Sequence, residues 1–364
     1  MFQDLSSLLN RLFILTYGII AVMTIVAYTS PDISPSEFWI SAFLPYTIPG
    51  LVIFHLIVAL YFLLAKKWAQ SIIPLFFVFL GLSFLPRIVS FHFSRQQKAG
   101  ATFSLLSYNA RVFNVYEIYH KKNPSISANI IKDALNMEGD IKCFQEFYTE
   151  KDSKKFNTIK RLSKTHPYYF FEPFFTNKEG GGFGMAIFSK YPIEKKESIR
   201  FKEKSNNQIL YADIVIGRNK VRVFNVHLQS MNINDDELAD SPSQDRFKQN
   251  LLKALLRYKQ GAIRRSKQVD RLISEINRSP YPVMVCGDFN EPPLGYAYKQ
   301  VSNHLLNSQE EAGRGIGATH NGRIPFLRID NQFYQDGIDI HSFDVLNNKK
   351  LSDHYPLLGY YSFK

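Results

Sequence analysis

Cysteine is scarce in this sequence of 364 residues, which has only Cys143 and Cys286. Both lie inside hydrophobic runs typical of β-strands, so we expect two buried free thiols. Two cysteines cannot build a disulfide framework and match no zinc pattern, and they leave the cellular compartment open. The sequence also lacks internal repeats and low-complexity tracts, which excludes repeat architectures and mainly disordered classes.

Charged residues are missing from three long stretches near the amino terminus, 12–31, 38–65 and 68–86. Each could cross the core of a bilayer, which takes about 20 apolar residues. A signal peptide would explain the first stretch, but no small-residue cleavage site follows it. Three buried helices in so short a segment would exceed what one soluble core usually needs. We therefore predict three membrane spans.

The predicted organisation has three parts. An anchor occupies residues 1–94, a polar linker residues 95–101, and a folded domain residues 102–364. The spans are expected at about 12–31, 38–64 and 69–88.

Basic residues near the spans indicate the orientation, because cytoplasmic connections are enriched in Lys and Arg. The first connection has neither, whereas the second carries Lys66 and Lys67. This favours the first connection and the folded domain on the outer side. Three basic residues after the third uncharged stretch favour the opposite orientation: Arg87, Arg95 and Lys98.

Positive charge predominates outside the anchor. Residues 1–100 hold six of the 44 Lys and Arg and three of the 32 Asp and Glu, which leaves 38 basic and 29 acidic residues, a formal charge of +9. Such an excess favours anionic partners such as nucleic acid, phosphorylated lipids or a charged membrane face. The helical segment 244–276 is basic, and such a segment usually presents a face to solvent. The alternative is that this face contacts phosphate groups or a membrane surface.

From Thr102 onward, short runs rich in β-branched and aromatic residues alternate with turn residues. This pattern predicts strands. Two stretches with helical periodicity interrupt them, 125–136 and 244–276. We predict one α/β (α+β) domain with two packed sheets and helices outside.

An unusual set of polar residues follows the predicted strands. Each has an ordinary structural explanation by itself, as a turn residue, a strand-edge residue or a satisfied core histidine. Together they would converge at one edge if the strands share a sheet. The set comprises Asn109, Gln145, Glu146, His227, Asp288, Asn290, Asp330, Asp353 and His354.

The composition of this set suits the hydrolysis of phosphate esters, which needs a divalent cation, a base and donors to the phosphoryl oxygens. Hard oxygen ligands for Mg²⁺, with Mn²⁺ as a possible substitute, are available from Asn109, Glu146 and Asp353.

The remaining members of the set suit acid–base chemistry and phosphate binding. Asp288 can act as the base towards water, held by Asn290. His227 and His354 can donate to the phosphate. Asp330 can orient a histidine and raise its pKa, so that the ring stays protonated. The expected phosphate contacts come from Asn109, His227, Asn290 and His354.

Seven motifs in this order resemble the endonuclease/exonuclease/phosphatase superfamily, with its DNase I-like fold: SYNA, FQEF, GMAIFSKYPI, NVHL, GDFN, RID and SDHYPL. The resemblance covers 102–364. It implies a four-layer α/β sandwich with the active site at one edge of two packed sheets. It assigns metal binding to Asn109 and Glu146. It also matches Asp353 and His354 to the Asp-His pair of the SDH motif that comes last in the family.

The same resemblance assigns the base to Asp288, phosphate binding and orientation to His227 and Asn290, and the aspartate of the RID motif to Asp330. RIDNQFY stands where many relatives have RIDYIF, a departure in the residues that follow Asp330 and not in the aspartate itself.

These features predict a membrane-anchored, divalent-metal-dependent phosphoesterase of a bacterial inner membrane, with the catalytic domain on the periplasmic side. Nuclease-like cleavage of phosphodiesters is slightly favoured. A sphingomyelinase-like phospholipid headgroup phosphodiesterase or an inositol-phosphate phosphatase is the alternative, because fold does not choose the substrate. An inactive binding protein is less favoured, since every named position has a competent residue. The expected partners are the bilayer and a phosphodiester, and no protein partner is implied.

Overall fold

The computed structural model describes residues 2–92, 100–115, 124–201, 205–231, 243–348 and 352–364. Residues 95–99 of the predicted linker lie outside these ranges.

The amino-terminal part forms helices α1 (Phe2–Thr29), α2 (Ile48–Leu64), α3 (Trp68–Gly81) and α4 (Leu85–Ile88). Among the described residues, three helical segments are long and apolar enough to cross a membrane, with mean hydropathy between 1.9 and 2.3. They are Arg11–Asp32, Leu44–Leu64 and Trp68–Ile88.

The second helix begins later than the predicted start of the second span at residue 38. Two short 3₁₀ turns, Trp39–Ala42 and Leu44–Thr47, precede it. Pro45 lies at the beginning of the second turn and Pro49 in the first turn of α2. Proline lacks an N–H group and suits a first helical turn, so it favours new starts here over one continuous helix.

Fourteen strands lie in the described residues after the apolar helices. They are β1 (Ser90–Phe91), β2 (Phe103–Asn109), β3 (Ile141–Glu150), β4 (Tyr168–Thr176), β5 (Gly181–Ser189), β6 (Ile193–Arg200), β7 (Gln208–Ile216), β8 (Asn219–His227), β9 (Val283–Asp288), β10 (Leu306–Asn307), β11 (Arg314–Gly315), β12 (Asp330–Tyr334), β13 (Ile338–Val345) and β14 (Leu357–Phe363). The helices among them are α5 (Pro124–Asn136), α6 (Thr158–Leu162), α7 (Gln244–Asn277), α8 (Tyr296–Ser302) and α9 (Ser308–Ala312).

Twelve of the strands form two mixed sheets of six strands each. Sheet I has the order β10-β12-β9-β8-β7-β6, and sheet II has the order β13-β14-β2-β3-β5-β4. In each sheet one central pair is parallel, β8 with β9 and β2 with β3. All other neighbouring pairs are antiparallel.

The alternation of side chains along each strand builds the layers. In β2, Leu105 faces the core between the sheets, whereas Leu106 faces the outer cluster with α5. Cys143 and Cys286 are both buried between the sheets as free thiols, as predicted. Helices α7 and α8 cover the outer face of sheet I. The predicted four-layer sandwich is confirmed.

The amino-terminal helices pack directly on the folded domain. Tyr258 of α7 donates a hydrogen bond to the carbonyl oxygen of Ala42 at 3.0 Å, and Arg328 donates to the carbonyl oxygen of Arg87 at 2.8 Å. Strand β1, which lies within the predicted anchor range, pairs with β11. The first connection and the end of the third apolar helix therefore contact the same domain.

Candidate active site

Parallel pairing brings polar residues together at one edge of the sheets. Asn109 at the end of β2 lies opposite Gln145 of β3, and His227 at the end of β8 lies opposite Asp288 of β9. Asp330, the first residue of β12, also lies opposite Asp288. The carboxyl ends of parallel strands are where α/β folds commonly bind ligands.

Asp288 is the centre of this cluster. Its Oδ2 accepts a hydrogen bond from Nδ2 of Asn109 at 3.0 Å, and its Oδ1 accepts one from the backbone N–H of Asn290 at 2.8 Å. The Nε2 atoms of His227 and His354 each lie 3.9 Å from Oδ2. One buried carboxylate therefore faces polar groups from four parts of the chain.

The GDFN motif owes its shape to two unusual backbone conformations. Gly287 has φ +136°, and a Cβ there would collide with the carbonyl oxygen of Val226 in β8, so the position requires glycine. Asn290 has φ +51°, which asparagine tolerates better than most residues. Its side chain donates to the carbonyl oxygen of Leu228 at 2.9 Å, so only its backbone N–H meets Asp288.

The surroundings of Asp288 raise its pKa to about 6. Burial is the main cause and the carboxylate of Asp330 adds to it, while His354, His227 and the N–H of Asn290 act in the opposite direction. A base with a pKa near neutrality can both accept and release a proton at working pH.

His354 differs from His227 in its ionisation. Its Nδ1 bonds Oδ2 of Asp330 at 2.8 Å. Burial by itself lowers the pKa of His354, but the carboxylates of Asp330 and Asp288 and this hydrogen bond raise it to about 10. His354 is therefore an imidazolium at neutral pH, with Nε2–H directed to the Asp288 side.

His227 is a neutral ring, because burial lowers its pKa more than the nearby Asp288 raises it. Its Nε2 lies 3.7 Å from Oε1 of Glu146 and 3.9 Å from Oδ2 of Asp288. Both separations exceed a direct N–H···O bond. Nδ1 is buried and has no hydrogen-bond partner among the described residues.

A β-bulge sets the different directions of Gln145 and Glu146. The pairing of β3 with β5 shifts between Phe144 and Phe147, and Glu146 has φ +46°. Gln145 points into the core, where its Nε2 donates to Oδ1 of Asn225 at 2.6 Å. Bulges commonly redirect side chains near sites. Here the bulge turns Glu146 towards the cluster.

Glu146 and Asp353 form the acidic side of the cluster. Burial raises the pKa of Glu146, His354 lowers it, and Asp353 raises it. The side chain of Asp353 is 30% exposed and lies 3.4 Å from Nε of Arg111. Oε1 of Glu146 is 3.5 Å from Nδ2 of Asn109. Burial and the charge of Asp353 thus both disfavour the charged form of Glu146.

This donor set fits a hard divalent cation. A metal ion would offset the burial cost and mutual repulsion of Glu146 and Asp353, and carboxylate oxygens are ligands that Mg²⁺ prefers. The amide oxygen of Asn109 accepts from the N–H of Arg111 at 3.1 Å and has a second lone pair.

Within the described part of the chain, two groups of acidic and histidine side chains lie close enough together to hold an ion: His320, Asp353 and His354; and Asp288, Asp330 and His354. Both depend on His354, whose pKa is raised to about 10. Within the second group, Nδ1 of His354 bonds Oδ2 of Asp330 at 2.8 Å. We therefore interpret the second group as a hydrogen-bonded acid–base triad.

A cleft of about 720 Å³ opens beside the cluster. Its lining includes Glu146, His227, Phe175, Asn207, Ser230 and Arg264. The eight predicted site residues lie along the same edge, with Asp353 at the margin and the side chain of Asn290 directed into the loop.

Sequence reasoning missed several residues around this edge. Arg111 to Asn114 form a left-handed turn of four non-glycine residues with φ between +44° and +53°, a strained conformation that follows Asn109. Val112 lines the cleft. The only sequence signal is the position of the turn after SYN.

A buried ion pair also escaped prediction. Arg265 of α7 donates to Oε1 of Glu291 at 3.0 Å and to the carbonyl oxygen of Gln229 at 2.8 Å. Oε2 of Glu291 accepts from the N–H of Ala297 at 2.5 Å. These bonds tie together the loops that follow His227 and Asn290, and no local pattern pairs Arg265 with Glu291.

Two packed mixed sheets flanked by helices, with carboxylates, amides and imidazoles at one edge, define a DNase I-like hydrolase fold. The chain belongs to the endonuclease/exonuclease/phosphatase family, hydrolases of phosphoester bonds, because the model described as Endonuclease/Exonuclease/phosphatase family matches residues 106–354. A second model, described as Domain of unknown function (DUF8431), matches residues 10–88. No curated protein matches the chain.

Solved structures are similar to the chain at low identity. An endonuclease/exonuclease/phosphatase from Beutenbergia cavernae is 15% identical, with a TM-score of 0.50 over 72% of this chain and 71% of that chain. The human nocturnin catalytic domain with bound sulfate is 18% identical, with a TM-score of 0.49 over 72% and 93%. A mannosyl-6-phosphatase from Bacteroides thetaiotaomicron is 16% identical, with a TM-score of 0.49 over 72% and 100%.

Proposed function

We propose that the protein is a membrane-anchored, divalent-metal-dependent phosphoesterase that cleaves phosphodiester bonds. The observation that carries the proposal is the buried carboxylate of Asp288, whose pKa is raised to about 6 and which faces Asn109, His227 and His354. Family membership supports the reaction class.

Asp288 is the proposed general base, which takes a proton from the attacking water. The hydrogen bonds from Asn109 and from the backbone of Asn290 hold its two oxygens in place. A carboxylate with a pKa near 6 is largely ionised at neutral pH and still basic enough to share the proton.

His354 and His227 are the proposed donors to the phosphoryl oxygens. His354 carries a positive charge because Asp330 and Asp288 raise its pKa, so it opposes the negative charge that grows in the transition state. His227 donates as a neutral ring. Asp330 is a positioning residue, since its Oδ2 bonds Nδ1 of His354 and its charge raises the pKa of Asp288.

Asn109, Glu146 and Asp353 are the proposed ligands of Mg²⁺, with Mn²⁺ as a substitute. When bound, the ion neutralises charge on the phosphoryl group. The strained conformation of Glu146 and the proximity of Asp353 support this assignment.

Two substrate classes fit the site. Nucleic acid suits the excess of basic residues outside the anchor, because phosphate contacts dominate such binding. A phospholipid headgroup suits the position of the anchor, since Leu294, just beyond the GDFN motif, packs with Ala27, Ile48 and Phe84 of the anchor helices. Inositol phosphates are a third option.

The proposed organisation keeps an anchor at 1–94, a linker at 95–101 and a catalytic domain at 102–364. The three apolar helices support the anchor. We place the protein in a bacterial inner membrane with the catalytic domain on the periplasmic side, which Lys66 and Lys67 support.

The test uses the full-length chain in nanodiscs, with MgCl₂ or with EDTA. Plasmid DNA, single-stranded RNA, sphingomyelin, inositol phosphates and bis-p-nitrophenyl phosphate are offered in parallel. We expect Mg²⁺-dependent cleavage that falls about 100- to 10,000-fold in Asp288→Asn, the usual contribution of a general base. Mg²⁺ binding should persist in that variant.

Cleavage of DNA or RNA alone would support the nuclease assignment, and cleavage of sphingomyelin alone the headgroup assignment. Wild-type turnover by Asp288→Asn would place the base elsewhere. A protein that binds no Mg²⁺ in calorimetry and cleaves none of these substrates would instead be a binding protein that has kept the fold.

A further inference from the structure

In the amino-terminal half of helix α7, the large apolar side chains face solvent and not the core of the folded domain. Its buried positions are Asn250, Ala254 and Tyr258, of which only two are apolar and one of those is small. Its large apolar side chains are between 40% and 60% exposed: Phe247, Leu251, Leu252, Leu255 and Leu256. A helix on a soluble domain normally turns its apolar stripe to the core.

These five side chains form one continuous surface, which we call the α7 apolar face. At about 100° per residue they cover roughly half of the helix circumference. Exposed apolar patches of this kind mark sites of protein or membrane contact.

The α7 apolar face lies next to the end of a membrane span. The hydroxyl of Tyr258 bonds the hydroxyl of Tyr46 at 2.9 Å, and Tyr46 belongs to the apolar segment Leu44–Leu64. At about 1.5 Å per residue, Leu256 to Phe247 lie roughly 3 to 16 Å along the helix from that contact.

Aromatic residues and basic charge surround the same place. Trp39 and Phe43 of the first connection contact α7, and Nζ of Lys259 lies 4.3 Å from the centre of the Trp39 ring. Tryptophan and tyrosine are typical of the membrane–water interface. From Arg246 to Val269 the helix has no acidic residue, and its basic residues are Arg246, Lys248, Lys253, Arg257, Lys259, Arg264, Arg265 and Lys267.

We infer that the α7 apolar face lies on the bilayer that the three apolar helices cross, with its basic neighbours among anionic headgroups. This inference rests on the proposed membrane anchoring. A basic amphipathic helix binds such an interface with its apolar face about 5–10 Å deep. Arg264 of the same helix lines the cleft, so the contact holds one wall of the cleft at the membrane surface.

The test places one fluorophore on the full-length chain in nanodiscs of phosphatidylcholine and phosphatidylglycerol. Both native cysteines are buried, so an added cysteine is labelled selectively. The probe position is Leu252→Cys, and the matched control is Lys267→Cys, on an exposed site of the same helix beyond the apolar face. A third variant, Phe79→Cys, labels the third apolar helix at an exposed position.

Lipids that carry a nitroxide on the acyl chain report contact. We expect the label at residue 252 to shift to the blue and to lose about half of its emission to these lipids, as at a depth of 5–10 Å, while the label at 267 does neither. Equal behaviour at 252 and 267 overturns the inference. A blue shift at 252 without lipid quenching also overturns it, because a protein surface such as a second copy would then cover the face.

The variant at residue 79 separates the two proposals. Quenching at 79 without quenching at 252 rejects only the bilayer contact of α7. Absence of quenching at 79 rejects the membrane anchoring itself, and with it the basis of the inference.

Discussion

Glu146 shows how one residue can be prepared for a ligand by its surroundings. A bulge holds it in a left-handed conformation, and burial raises the pKa of its carboxyl group. Both effects cost stability in the metal-free protein, and a bound cation would offset the second.

Glu146→Gln should therefore weaken Mg²⁺ binding without weakening the fold. We expect metal affinity to fall about 10- to 100-fold, a range typical of disturbed metal sites, and activity to fall with it. The unfolding temperature in EDTA should stay the same or rise slightly, because the repulsion from Asp353 is removed. Calorimetric titration with MgCl₂ and thermal unfolding in EDTA measure the two effects.

The control is Glu150→Gln, at the far end of the same strand, where the side chain accepts a hydrogen bond from Tyr148. It should leave Mg²⁺ affinity unchanged. A large fall of the unfolding temperature of Glu146→Gln in EDTA would indicate a structural role and contradict the assignment.

At the scale of elements, Lys142 of β3 connects sheet II to helix α5. It is 1% exposed, and its Nζ donates to the carbonyl oxygens of Ala134 and Leu135 near the end of α5, at 3.4 and 3.1 Å. The last carbonyl groups of a helix have no partner within it, so the contact satisfies them. Burial lowers the pKa of Lys142 to about 8 from 10.5.

The pH dependence of stability follows from this shift. Between pH 8 and 10.5 the folded protein releases a proton that the unfolded chain retains, so the free energy of unfolding rises with pH; below pH 8 the burial cost is fully present. Relative to Lys142→Met, the wild type should gain about 2 kcal/mol between pH 7.5 and 9.5. Chemical denaturation of both full-length proteins in detergent measures the difference.

Lys164→Met, at an exposed position on the same side of sheet II, is the control, and it should show no such gain. If the difference in the free energy of unfolding between wild type and Lys142→Met were instead independent of pH, burial would not destabilise the charged form of Lys142.

At the scale of the whole molecule, the amino-terminal helices and the folded domain pack against each other. Tyr258 contacts Ala42 and Tyr46, and Leu294 packs with helices of the anchor. The three proposed crossings would place the first connection and the folded domain on the same side of a membrane, in agreement with these contacts. The side of the membrane is inferred from the Lys and Arg residues near the apolar helices alone.

Fusions after Lys364 determine the side. We expect alkaline phosphatase there to be active in bacterial cells and green fluorescent protein to be dark, because the domain is proposed to be periplasmic. Fusions after Lys67, between the second and third spans, should give the reverse pattern. The opposite pattern at both positions would show that Arg87, Arg95 and Lys98 set the orientation.

Local patterns in the sequence were sufficient to predict the architecture. The three uncharged runs predicted three apolar helices, and alternation with turn residues predicted the two sheets, because both signals depend on neighbours along the chain. The motif residues were found for the same reason, since each lies within or next to an apolar run; the structure places Glu146 inside β3 and Asp330 at the start of β12. Helix α2 begins at Ile48, later than the uncharged run that starts at Phe38, because Pro45 and Pro49 interrupt a run that composition alone treats as continuous.

Tertiary structure decided how these residues differ from one another. His227 and His354 look alike in sequence, but only His354 lies against Asp330 and Asp288, so one ring is neutral and the other charged. Gln145 and Glu146 are neighbours in the sequence, but the bulge in β3 directs Gln145 into the core and Glu146 towards the site. Desolvation and Coulomb energy depend on groups that folding brings within a few ångströms from distant positions, and no local pattern contains that information.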